Sequence, residues 1–129
     1  MSYLLDTHTL IWWTAEPERI PERTTEILRD PRDELYFSTA SSWEVQIRIG
    51  IGQISFSQPW ETIVEREIEK NSLLILPVTL EHTFMLAKLP LLHQDPFDRM
   101  LIAQALTNNL TIVTNDRFIQ SYPDVETVW

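Results

Sequence analysis

Four acids in this chain fall where apolar runs give way to segments of helical period. Asp6 closes the run YLL, Glu44 sits within SSWEVQIRI, Asp98 within DPFDRMLIAQA, and Asp116 follows LTIVTN. A carboxylate beside a buried run is costly unless something offsets its desolvation. Side by side and unneutralised, such groups repel one another and some take up protons. Around a hard divalent cation they become good oxygen ligands, and Mg²⁺ is commonly held by one or two carboxylates with waters and phosphate oxygens. A pair of such ions can stabilise both the attacking and the leaving oxygen of a displacement at phosphorus. The chemistry open to the cluster is therefore phosphoester hydrolysis.

The elements must bring these acids to one edge. Short apolar runs alternate with helical segments, the pattern of βαβ units and a parallel sheet. Residues 3–6, 35–38, 73–78 and 110–114 read as strands, with 125–129 as an edge strand. Helices are expected over 7–15, 21–30, 40–49, 59–71, 79–89 and 95–109, with a short one over 116–122. Together they make a single domain, 1–129, of three-layer α/β/α class with a central, mainly parallel sheet of five strands. Right-handed crossovers would place helices on both faces. All strand carboxyl ends of such a sheet lie along one rim, where ligand sites form. Each of the four acids lies at a strand's end or near a helix start, so all four can meet there.

Each acid also has an ordinary structural explanation. Asp6 and Asp116 can cap the helices that follow them, and Asp95 before Pro96 fits an N-cap with proline at the first helical position. Ser41 and Glu44 fit a capping box, and Glu44 has Arg48 one turn on. Capping alone leaves unexplained why Asp6 and Asp116 directly abut apolar strands. His8, His82 and His93 lack metal-ligand spacing and read as structural, with His93 placed to orient the Asp95 loop. Trp12 and Trp13 cannot share one helix face, so one of them is expected to lie exposed on a partner surface.

Composition narrows the classes further. Apolar residues make up 43% of the 129, enough for a real core. The absence of cysteine excludes a disulfide framework, a thiolate zinc site and a cysteine nucleophile, and suits a reducing compartment. No signal-peptide pattern opens the chain, and no apolar run approaches the roughly 18 residues of a membrane span. A soluble, cytoplasmic protein without membrane contact is expected. The net charge of −9, from 19 acids against 10 bases, disfavours a nucleic-acid partner unless clustered acids hold a cation. There is no G-x-S-x-G elbow, and the 2 glycines form no phosphate-cradling loop.

Four stretches in register, LLDTHTLIWW, SSWEVQIRIGIGQI, DPFDRMLIAQA and TIVTNDRF, resemble the PIN-domain family over nearly the whole chain. Within that family they look most like the VapC-like toxin ribonucleases of bacterial toxin–antitoxin pairs. The resemblance implies an endoribonuclease dependent on Mg²⁺ or Mn²⁺ that cleaves RNA with a metal-activated water. By motif position its metal-binding acids fall on Asp6, Glu44, Asp98 and Asp116, with Asp6 and Asp98 as the firmest ligands. Thr7 and Thr114 match hydroxyls found beside the metal, and Asn115 lies in the same T-N-D stretch. Arg48, Arg99 and Arg117 are candidate RNA phosphate contacts, with surface salt bridges as the plain alternative. The resemblance further implies a homodimer or higher homo-oligomer and a small antitoxin whose tail fills the acidic groove. Relatives often carry lysine near Arg48 and again where this chain has Gln53, a departure that bears on RNA affinity.

Two rivals remain on sequence grounds. Asp6-Thr7-His8-Thr9 partly matches the D-x-D-x-T of Asp-based phosphatases, but His8 replaces the second aspartate and only Lys70 and Lys88 are available as lysines. The other rival is a PIN-like interaction module without catalysis.

Overall fold

The computed structural model describes residues 1–129. Its elements follow in the order β1 (Ser2–Leu5), α1 (Thr7–Ala15), α2 (Glu22–Arg29), β2 (Glu34–Ser38), α3 (Thr39–Gly50) and α4 (Trp60–Asn71). Then come β3 (Leu74–Leu76), α5 (Leu80–Leu86), α6 (Pro96–Asn108), β4 (Thr111–Val113), α7 (Arg117–Gln120) and β5 (Thr127–Val128). A short 3₁₀ turn at Pro17–Arg19 links α1 to α2.

The strands form one sheet in the order β3-β2-β1-β4-β5, and every neighbouring pair is parallel. The chain builds outward from β1 on one side through β2 and β3, then returns to β1's other edge with β4. Strand order therefore reverses between β1 and β4, where Leu5 pairs with Val113. In open parallel sheets ligands bind in the crevice at such a point, beyond the strands' carboxyl ends. Asp6 and Thr114 are the first residues past those two ends.

Alternation along β1 defines the layers. Leu5 enters a core with Leu10, Leu28, Phe37, Val45 and Trp60, whereas Leu4 enters a second core with Leu101, Ile102, Ile112 and Ile119. Leu4 and Leu5 are both fully buried. Full burial of such a side chain is worth about 1.5–3 kcal/mol, so β1 is anchored from both faces. This is the expected three-layer α/β/α arrangement. No helix is long and apolar enough to cross a membrane.

Several local expectations shift. Strand β1 stops at Leu5 and Asp6 becomes the N-cap of α1, accepting from Thr9 N at 2.7 Å. Ser41 does not open a capping box, because α3 begins earlier: Ser38 is its N-cap, accepting from Ala40 N at 3.0 Å. Strand β3 and helix α5 are shorter than the apolar runs that contain them. Trp12 and Trp13 are both half-buried against the Leu5 core. The exposed tryptophan is Trp43, with its edge against Phe97 at 5.3 Å between ring centroids. His82 is structural as expected, bonded through Nδ1 to Thr79 N and through Nε2 to Asn108.

Candidate active site

The reversal between β1 and β4 is marked by a buried carboxylate. Asp6 is 4% exposed. The Thr9 hydroxyl lies 2.7 Å from its Oδ1 and 2.8 Å from Val113 O, and the Thr114 hydroxyl donates to its Oδ2. Burial raises the Asp6 pKa, and the Thr114 and Thr9 hydrogen bonds and the nearby His8 oppose that rise. Asp6 is thus both the helix cap that its position suggested and a desolvated acid at the switch point.

Helix α3 brings in the second acid. Glu44 is 6% exposed; its Oε1 accepts the Thr7 hydroxyl at 2.8 Å and its Oε2 accepts Arg48 Nη2 at 2.9 Å. The Thr7 bond spans 37 residues and fixes α3 against the start of α1. The i,i+4 pairing with Arg48 is the one expected for a helix.

Asp98 stands in the first turn of α6, which Asp95 caps by accepting from the N–H groups of Phe97 and Asp98 at 2.9 Å each. Burial and the charges of Asp95, Asp116, Glu44 and Asp6, in that order, push the Asp98 carboxyl up to about 8. Asp116 caps α7, with Oδ1 accepting from Phe118 N at 2.8 Å and from Ile119 N at 3.3 Å. Its own N–H donates to the Thr114 hydroxyl at 3.0 Å. The other three predicted acids, from three separate segments, thus all bear on Asp98. Asn115 is exposed beside them.

The three arginines differ. Arg48 is held on Glu44. Arg99 turns inward, donating through Nη1 to Pro90 O at 2.8 Å and to the Tyr122 hydroxyl at 2.9 Å. Arg117, next to Asp116, is exposed. Residues that the motifs did not mark also take part. Thr9 follows Asp6 by one helical turn, a spacing that points to the contact. His93 reaches Asp98 Oδ2 at 3.2 Å from outside the helix, with nothing in its spacing to signal it.

The matching segment runs through all of these acids: residues 3–124 fit the PIN domain. The chain belongs to the PIN domain family. Among curated proteins this PIN domain is similar to Ribonuclease VapC22 of Mycobacterium tuberculosis, 29% identical over 135 aligned residues that cover 98% of this chain and 97% of the relative. Among solved structures it is similar to a chain of VapBC2 from Rickettsia felis bound to a DNA fragment from their promoter. That match has a TM-score of 0.76 at 18% identity, over 99% of this chain and 98% of the other. VapBC-1 from nontypeable Haemophilus influenzae matches with a TM-score of 0.66 at 22% identity, over 99% and 97% of the two chains. At these identities the structural matches show the fold.

The donor set of this PIN domain is hard: carboxylate oxygens with threonine hydroxyls between them, and no thiol. Such oxygens suit Mg²⁺ or Mn²⁺. Burial and the neighbouring acids both disfavour the Asp98 anion, and a divalent cation would offset that cost. No three acid or histidine side chains already enclose a single ion position. Arg48 and His93 instead hold Glu44 and Asp98.

Proposed function

We propose that this PIN domain is a divalent-metal-dependent endoribonuclease and the toxin of a VapC-like toxin–antitoxin pair. The observation that carries the reading is geometric: Asp6 lies buried at the β1–β4 switch point, tied to Thr9 and Thr114, inside a PIN-domain match that runs through all four acids. Asp6 and Asp98 are the principal ligands, and Glu44 and Asp116 complete the set directly or through water. Mg²⁺, or Mn²⁺ in its place, supplies activation of the attacking water and charge neutralisation at the phosphate.

The chain's own groups do the rest. Thr9 and Thr114 hold Asp6 in one orientation, and Thr7 does the same for Glu44. Arg117 is the base placed to meet an RNA phosphate beside Asp116, and Arg48 can swing from Glu44 to do so. Arg99, held on Pro90 O and the Tyr122 hydroxyl, would have to leave those partners to reach RNA. The family likeness, together with VapBC relatives of the same fold, supports a small antitoxin partner; a homodimer or higher homo-oligomer and a cytoplasmic setting belong to the same proposal.

The absence of a closed ligand set favours a second reading, a PIN-like module whose acids shape a partner groove without catalysis. One experiment separates the two. Wild type, Asp6→Asn and Asp98→Asn are assayed for RNA cleavage with Mg²⁺ and with chelator. Cleavage by wild type with Mg²⁺ alone, lost in both variants, is the expected result. Metal-independent cleavage that survives both substitutions overturns the nuclease reading, and an inert wild type that also fails to bind Mg²⁺ favours the module.

A further inference from the structure

Asp98 makes its one side-chain hydrogen bond to a residue outside the four-acid set. His93, in the segment between α5 and α6, presents Nε2 to Asp98 Oδ2 at 3.2 Å. Its side chain is only 8% exposed. The ring lies parallel to Phe118 and edge-on to Tyr122, each at 5.4 Å between centroids. Its Nδ1 is 2.8 Å from the Tyr122 hydroxyl, which also accepts from Arg99 Nη1 at 2.9 Å.

One end of this series of contacts cannot reverse. A guanidinium only donates, so Arg99 gives to the tyrosine oxygen. In the Nε2–H tautomer of His93 the hydroxyl's own proton goes to Nδ1. The histidine hydrogen is left on Nε2, where it points at Asp98. Arg99 itself is tied to Pro90 O, so the sequence Arg99, Tyr122, His93, Asp98 runs from a fixed anchor to a carboxylate oxygen.

We infer that His93 is the positioning residue of Asp98: held by Tyr122 and Phe118, it fixes Oδ2 and leaves Oδ1 to face the cation. The inference rests on the reading of Asp98 as a metal ligand. Partners that orient a ligating carboxylate commonly change metal affinity by about 10–100-fold when removed.

Mn²⁺ affinity of the full chain, measured by titration calorimetry without RNA, tests it. His93→Ala is expected to bind Mn²⁺ at least about tenfold more weakly. His93→Gln places an amide nitrogen near the position of Nε2 and should recover most of the affinity. His93→Asn matches only the Nδ1 position and should not. Tyr122→Phe should fall between wild type and His93→Ala. Wild-type affinity in His93→Ala overturns the inference, as does equal loss in the Gln and Asn variants, which marks plain packing. Should His93→Ala fail to fold, the Gln–Asn comparison decides alone. Asp98→Asn separates the two levels of argument. If it binds Mn²⁺ like wild type, the metal-site reading itself fails. If it loses binding while His93→Ala keeps it, only the positioning role fails.

Discussion

The hydroxyl of Thr114 donates to Asp6 Oδ2 across the β4–β1 seam, joining residues 108 apart in sequence. The Thr114 hydroxyl oxygen in turn accepts the N–H of Asp116 at 3.0 Å, so one fully buried threonine ties the first acid to the last. Thr114→Val keeps the shape and removes both contacts. Hydrogen bonds to charged groups are worth about 1.5–3 kcal/mol, so metal-free stability should drop within that range. Burial then raises the Asp6 pKa with less opposition, and Mg²⁺ affinity should fall with it. Denaturant unfolding and calorimetry check the two effects. Unchanged values in both would show that Asp6 is held by Thr9 alone.

The pKa of Asp98 sets a pH dependence whose sign is opposite to that of an ordinary aspartate. Its folded value, about 8, lies above the ordinary carboxyl value of 3.8 because burial and neighbouring acids disfavour the anion. The folded chain therefore binds the proton more tightly than the unfolded one. The stability this contributes is fully present below the unfolded value and is lost as pH rises through about 8. Asp6, raised by burial, pulls the same way. With chelator present, the melting temperature of wild type should fall between about pH 4 and 8, and Asp98→Asn should flatten that fall. Divalent-metal affinity should instead rise with pH up to about 8, as the displaced proton costs less. A wild-type melting temperature that climbs over this interval would contradict the assignment.

Arg48 competes with a cation for Glu44. Arg48→Gln removes a positive charge from the edge of the acid cluster, so two quantities should move in opposite directions. Metal-free stability should drop by about 1–2 kcal/mol, less than for a fully enclosed pair. The Arg48 side chain is 34% exposed, and solvent screens it. Mg²⁺ should bind more tightly, because the metal no longer displaces a guanidinium. If Arg48 also meets RNA, KM should rise while metal affinity improves, a combination that a purely structural arginine would not give.

The fold and its acids were unequally legible. Asp6 and Asp116 stand out because a charged residue directly after an apolar strand has few inexpensive places to go, and the parallel pattern puts both on one rim. Glu44 was legible through its spacing to Arg48, yet Ser41 misled: the helix starts at Thr39, capped from the last residue of β2. Arg99 shows the limit of adjacency in sequence. It adjoins Asp98, but successive helical residues point about 100° apart, and that turn carries Arg99 towards Pro90 and Tyr122. The pairing of His93 with Tyr122 spans 29 residues and exists only once α7 has folded over α6, so no local pattern announces it. The tryptophans show the same limit. Helical spacing separates Trp12 from Trp13, yet both are half-buried against the Leu5 core, with Arg19 over the Trp12 ring at 4.1 Å.

Asp116 carries two roles that one pair of variants can separate. Its side chain caps α7 through the N–H groups of Phe118 and Ile119, and its charge helps raise the Asp98 pKa. Asparagine caps helices about as well as aspartate, whereas alanine costs about 1 kcal/mol. Asp116→Asn should therefore leave stability near wild type while removing the charge. The Asp98 pKa should fall, Mg²⁺ should bind more weakly, and RNA cleavage should decline. Asp116→Ala should show the same functional losses plus the loss of the cap. The Asp98 titration, followed by carboxyl NMR in the metal-free protein, reads the charge term directly. If Asp116→Asn lowered neither that pKa nor Mg²⁺ affinity, Asp116 would be a cap and nothing more, and the site would reduce to three acids.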